Sequence, residues 1–312
     1  MIIKTYQRVF LSLLVVLFLT CLISPWAVAG WDAIRSAIPA WENVRYPFSR
    51  IFNRLFMVLA IILFLIFRRL LKIGPPSQLG LTSFRQGYGD LLTGFPIALI
   101  SFVVVVVIMT LTGVFWPELR LTFEEGLKRS MSAILAAVTV GFLEEVFFRG
   151  IILKGLLEDW KPTGAFIGAN LFYSAIHFVR PAQTSAIQGF DPLLGFKHLA
   201  HTFAPFLDPL GLFPGLFGLF LLGIVLSYAF IRTGSLYLSI GLHAGWVFGI
   251  KTIKVYGNYT REGLGWLFGS TDPKFVSGVA TWIGFLMVGL IVYWITRSRP
   301  IPASDPPPAR AV

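Results

Sequence analysis

Leu143-Glu144-Glu145-Val146-Phe147-Phe148-Arg149-Gly150 sets two adjacent carboxylates and a guanidinium inside one of the most apolar parts of the chain. Ser132-Ala133-Ile134-Leu135-Ala136-Ala137-Val138-Thr139-Val140-Gly141-Phe142 runs before it and Ile151-Ile152-Leu153 after it. A charge near the centre of a bilayer costs roughly 2.5–3.5 kcal/mol on insertion scales, so this cluster is expected to find partners. On a helix Glu145 and Arg149 are i,i+4 and share a face. Glu144 lies about 100° round the axis. Arg149 is therefore expected to neutralise and hold Glu145, which leaves Glu144 for chemistry. The plainer alternative is a charge triad that only ties helices together.

Working outward, the chain has 312 residues, of which 56% are hydrophobic and only 13% charged. Several apolar runs approach the roughly 20 residues that a spanning helix needs. The sequence predicts an all-α polytopic membrane protein of one helical domain with about eight transmembrane helices. The spans fall near residues 9–28, 55–67, 91–116, 131–157, 165–179, 211–231, 236–250 and 275–295. Residues 1–30 hold the first span. Ala27-Val28-Ala29-Gly30 also suits a signal-peptide cleavage site, but an uncleaved span is preferred because more spans follow. Residues 31–129 carry further helices and loops, 130–250 the charged helices, and 251–297 a polar loop and the last span. Residues 298–312 read as a disordered Pro-rich tail. Within the connection 180–210, Phe196, Ala200 and Phe203 recur at helical spacing and suggest a short interfacial helix.

The net charge is +11, scattered through connecting segments rather than gathered into a basic stripe with interleaved aromatics. That argues against nucleic acid as a partner and for membrane topology. Lys and Arg accumulate on the cytoplasmic side, and Lys4, Arg8, Arg68, Arg69, Lys72, Arg297 and Arg299 place both termini there. Arg35, Arg45 and Arg50 in the first external loop blur the contrast. The single cysteine, Cys21, excludes an intramolecular disulfide and a cysteine zinc cluster.

Of the four histidines, His177 and His243 lie in spans. Asn170, Tyr173 and His177 form a polar stripe at helical spacing, and such a stripe must face protein or water. Ser239 lies one turn before His243. Gly241 and Gly245 flank that histidine at the spacing that permits close helix approach. Convergence of Glu144, Glu145, His177 and His243 on one site gives each a polar partner. His198 and His201 read as interfacial polar residues.

Two chemistries suit glutamate and histidine in a partly dry pocket. In one, Glu144 with His177 activates a water that attacks a peptide carbonyl, and His243 donates to the developing oxyanion. In the other, Glu144, His177 and His243 hold a zinc ion that acidifies the water. No His-Glu-x-x-His helix and no Gly-x-Ser-x-Gly element is present.

Glu144-Glu145-x-x-x-Arg149, then Tyr173-x-x-x-His177, then His243 on a later span, resembles the CPBP family of CAAX prenyl endopeptidases and bacteriocin-processing or immunity membrane proteins (Abi-like). The resemblance covers residues 130–250. It implies an intramembrane protease with Glu144 as the catalytic glutamate, His177 as its partner on water and His243 in the oxyanion hole. Two positions depart from the family pattern. Tyr173 stands where Phe is usual, and Val247 stands where the residue four after the last histidine is usually Asn or Asp. Asn170 or Ser239 is the expected substitute for the missing polar group. The expected function is hydrolysis of a membrane-associated, optionally lipidated, peptide or protein in a prokaryotic inner membrane. A catalytically weak partner-binding protein is the second expectation and a transporter the third.

Overall fold

The computed structural model describes residues 3–67, 74–179, 190–259, 264–269 and 275–300. Helices stand at each place where the sequence predicts a span: α1 (Thr5–Ala37), α2 (Phe48–Phe67), α3 (Phe84–Leu111), α4 (Phe123–Glu145), α6 (Pro162–Ile176), α8 (Pro209–Thr233), α9 (Tyr237–Thr252) and α11 (Val279–Thr296). Between them lie the short helices α5 (Lys154–Asp159), α7 (Leu194–Thr202) and α10 (Gly265–Phe268). Among the described residues five helical stretches are long and apolar enough to cross a membrane. They contain α1, α3, α4 with α5, α8 and α11. The chain is thus an all-α integral membrane protein. At 15 and 16 residues, α6 and α9 fall short of a lone crossing. Much of α9 is buried instead. Pro25, Pro96 and Pro214 sit inside α1, α3 and α8, as membrane helices tolerate.

The chain falls into two compact units. One comprises Met1–Ile73 with Ala175–Leu212, the other Gly74–Ser174 with Phe213–Val312. In the first, α1 packs against α2 and α7. Gly195 of α7 meets the backbone of α1 closely: a Cβ there would fall 2.7 Å from Cys21 Cα. Cys21 forms a small core with Phe48 and Phe52. His198 departs from its interfacial reading. It is buried, with its ring 5.0 Å from that of Phe48 and 4.9 Å from that of Phe52. His201 on the same helix is exposed.

The second unit is organised around α9, which packs on α3 and α4. The reason lies in its glycines. A Cβ at Gly241 would fall 2.4 Å from Leu91 O, and one at Gly245 2.4 Å from Phe95 O. Any larger residue would therefore push α3 away. On the α4 side, Gly141 lies with its Cβ position 3.3 Å from both Ile240 O and Ala244 N. Small residues of this kind let membrane helices approach to backbone contact. A two-stranded antiparallel sheet, not foreseen in the sequence, pairs β1 (Phe115–Pro117) with β2 (Gly257–Tyr259), Phe115 opposite Tyr259. It closes a core of Val105, Met109, Phe115, Phe268 and Phe275. Arg299, assigned to the tail by sequence, instead pairs with Asp90 at 2.8 Å. Residues 301–312 lie outside those described.

Candidate catalytic site

The charged stretch lies where α4 changes its winding. Residues Phe123–Glu145 are α-helical and Val146–Leu153 form a π-helix. Such widened turns are rare and recur at functional sites. The junction puts Glu144 and Glu145 on the last α-turn and Arg149 on the π-turn.

Glu145 and Arg149 are buried, at 0% and 1% exposure, and Arg149 Nη1 donates to Glu145 Oε1 at 2.9 Å. The guanidinium has further partners. Its Nη2 donates to Gly223 O at 3.2 Å and its Nε to Ser227 Oγ at 3.4 Å, both on α8. It also lies over the Tyr173 ring, 4.4 Å from the centroid. Tyr173 is fixed in turn by edge contact with Phe148, 4.9 Å between centroids. A buried ion pair is tolerable only when its remaining donors are satisfied in this way.

His243 projects from α9 toward α4 at the height that Gly141 brings close. Its Nδ1 lies 2.8 Å from Glu145 Oε1, and its Nε2 lies 3.7 Å from Glu144 Oε2. A carboxylate facing Nδ1 places the neutral ring's proton on Nδ1, so Nε2 presents a lone pair toward Glu144. Although the two glutamates leave the helix at different angles, one imidazole meets both, one at each nitrogen. Glu145 is buried, whereas the Glu144 side chain is 29% exposed.

The other expected site residues divide. Asn170 is buried on α6, where its Nδ2 donates to Phe166 O at 2.8 Å and its Oδ1 accepts from Ser227 Oγ at 2.9 Å. It thus backs the Arg149 seat, and one of its amide hydrogens is committed within its own helix. Ser239 donates to Leu236 O at 2.9 Å, a bond internal to its own helix segment. Val247 is half-buried on α9, one turn after His243. His177 is half-buried and follows the end of α6, in a tightened turn where Phe178 N donates to Ala175 O at 3.0 Å. The Asn170, Tyr173 and His177 stripe is therefore helical only through Tyr173. His177 falls in the first unit and Glu144 in the second. Ser227 and Gly223 were missed in the sequence. Their signal was an i,i+4 pair of small residues in an apolar span. Gly223 has no room for a side chain, since a Cβ would fall 2.7 Å from Asn170 Oδ1.

A catalytic zinc site takes three protein ligands. Among the described residues no group of three or more His, Cys, Asp or Glu side chains is set to hold a metal ion. Glu144 and His243 supply two donors, and the second nitrogen of His243 is engaged by Glu145. These two donors are one fewer than such a centre takes.

A family model described as type II CAAX prenyl endopeptidase Rce1-like matches residues 127–249. The match runs from early α4 to the last turn of α9 and includes every residue of the cluster above. It bears out the resemblance to the CPBP and CAAX protease family. Over that stretch the chain is similar to this endopeptidase family. No curated protein and no solved structure matches the chain.

Proposed function

We propose that the protein is an intramembrane endopeptidase in which Glu144 activates water against a peptide carbonyl. The observation that supports this most directly is the imidazole of His243 set between two carboxylates of different standing. Glu145 is buried, paired and hydrogen-bonded. Glu144 is partly accessible and 3.7 Å from Nε2. That distance is too long for a direct hydrogen bond and is one that a bridging water spans; Oε2 itself is buried, and the exposed part of Glu144 lies elsewhere on the side chain.

In the reaction, the Glu144 carboxylate removes a proton as the water oxygen bonds to the carbonyl carbon. His243 Nε2 accepts the water's other hydrogen and so orients its lone pair. Collapse of the tetrahedral intermediate breaks the C–N bond, and the proton held by Glu144 passes to the leaving amine. Glu145 fixes the ring, and Arg149 fixes Glu145. This assignment shifts His243 from oxyanion donor to water-orienting group, because its neutral form carries the proton on Nδ1. His177 remains the second group proposed at the reacting centre, on the strength of its motif. By the distribution of Lys and Arg we also place both termini in the cytoplasm, and by the family resemblance the protein in a prokaryotic-type inner membrane.

The test uses purified full-length protein in nanodiscs with membrane-anchored peptides, lipidated and not, in H₂¹⁸O. Hydrolysis by water gives one ¹⁸O in the new carboxylate. His177→Ala and His243→Ala should each lower kcat/KM by about 10²–10⁴-fold, the usual contribution of a proton-handling group. No cleavage of any peptide by wild-type protein would leave the partner-binding reading. One observation favours that second reading. Val247 puts an apolar side chain where the resemblance calls for a hydrogen-bonding one.

A further inference from the structure

The hairpin of α1 and α2 holds a cavity of about 690 Å³ that the proposed reaction does not use. Ligand sites commonly measure about 300–1,000 Å³. Its lining is graded. Toward the connection between the helices lie Trp31, Tyr46, Arg50 and Ile51; Arg54 and Leu55 follow one turn on, and Ala27 and Val58 lie farther along. Ile51, Leu55 and Val58 are spaced i, i+4, i+7 and form one stripe of α2. Val58, Ile61 and Ile62 are exposed and carry the apolar surface onward. From Arg50 to Val58 the helix rises about 12 Å.

The polar end is built for a negative charge. Among the described residues neither arginine forms an ion pair, while the nearby Asp32 is taken by Arg35 at 3.2 Å. Arg50 is held instead over the Tyr46 ring, 5.2 Å from the centroid. The Trp31 indole Nε1 is buried without an acceptor, and the ring packs against Tyr46 at 5.2 Å. The arginines stand in the first turns of α2, where the helix dipole adds partial positive charge. Tryptophan and tyrosine beside arginine mark the level of lipid headgroups, and Arg binds phosphate with a fork of donors.

We propose that this cleft binds an anionic phospholipid, its phosphate between Arg50 and Arg54 and an acyl chain along Ile51, Leu55 and Val58. A soluble anion would gain nothing from the apolar half, and a zwitterionic lipid would bring its own cation to the arginines. The proposal also accounts for Arg50, one of the three arginines that blur the charge contrast between loops.

The test titrates delipidated full-length protein in detergent with phosphatidylglycerol, phosphatidylcholine of the same chains, or inorganic phosphate. The readouts are melting temperature and lipid retention in native mass spectrometry. Phosphatidylglycerol should raise the melting temperature saturably and bind at least about tenfold more tightly than phosphatidylcholine. Phosphate alone should shift nothing. The double variant Arg50→Gln/Arg54→Gln should lose that preference, Arg50→Lys/Arg54→Lys should keep most of it, and Arg45→Gln outside the cleft should leave it unchanged. Val58→Trp, which fills the apolar half and leaves both arginines, should weaken binding even if the double glutamine variant fails to fold. Equal binding of the two lipids, an equal effect of free phosphate, or full phosphatidylglycerol affinity in folded Arg50→Gln/Arg54→Gln or Val58→Trp protein would overturn the proposal.

Discussion

Arg149 and Arg50 both stand on helices, the first within a stretch that the sequence reads as a span and the second in what it reads as a loop, and their surroundings differ at every point. Arg149 is 1% exposed and engages Glu145, Gly223, Ser227 and the Tyr173 ring. Arg50 is exposed, touches one aromatic ring and has no carboxylate partner among the described residues. Removing a charge from water is costly, so the buried guanidinium persists only because its neighbours satisfy it. The exposed one keeps its hydration until a ligand replaces it. Pairing and burial together therefore separate a charge that holds a site from a charge that awaits a partner.

The largest expected effect follows from that difference. Arg149→Met strands Glu145 as a buried unpaired carboxylate and should cost about 3–5 kcal/mol. It should appear as a collapse of folded yield in detergent. Arg50→Gln should change stability by no more than about 0.5 kcal/mol. Equal losses by thermal melting would erase the distinction. Next in size, Ser227→Ala removes the hydroxyl between Arg149 and Asn170 and should cost about 1–3 kcal/mol. Asn170→Ala should act through the same seat, so a double-mutant cycle should show the two losses to be less than additive. Additive losses would mean that Asn170 acts elsewhere. The smallest effect should come from Asp90→Asn. It loosens a partly solvated pair with Arg299 and should cost at most about 1 kcal/mol.

Much of this was legible in the sequence, and for a physical reason. Ionisable groups are so costly in a bilayer that their spacing alone announced the pairing of Glu145 with Arg149. It announced the helices as well, because long apolar runs admit few other structures. Gly241 and Gly245 were read as points of close approach, which they are. What stayed hidden depends on contacts between distant segments. The engagement of Glu145 with His243 spans 98 positions and has no local signal. The π-turn after Glu145 arises within a sequence that suits an ordinary helix. Asn170 was read as facing the reacting centre because periodicity gives a face but not its neighbour, and that neighbour is Ser227. His198 read as interfacial because histidine is polar, yet two phenylalanines of α2 enclose it.

The central claim is that adjacent glutamates divide the work, Glu144 handling the proton and Glu145 holding the ring. Peptide cleavage and melting temperature, measured together on Glu144→Gln and Glu145→Gln in nanodiscs, test it most directly. Glu144→Gln should melt within about 2 °C of wild type and lose about 10²–10⁴-fold in cleavage rate. Glu145→Gln should lose both stability and cleavage, because it removes the counter-charge of Arg149 and the acceptor of His243. Cleavage that survives in Glu144→Gln at the wild-type rate, or Glu145→Gln protein that is as stable as wild type, would contradict the division.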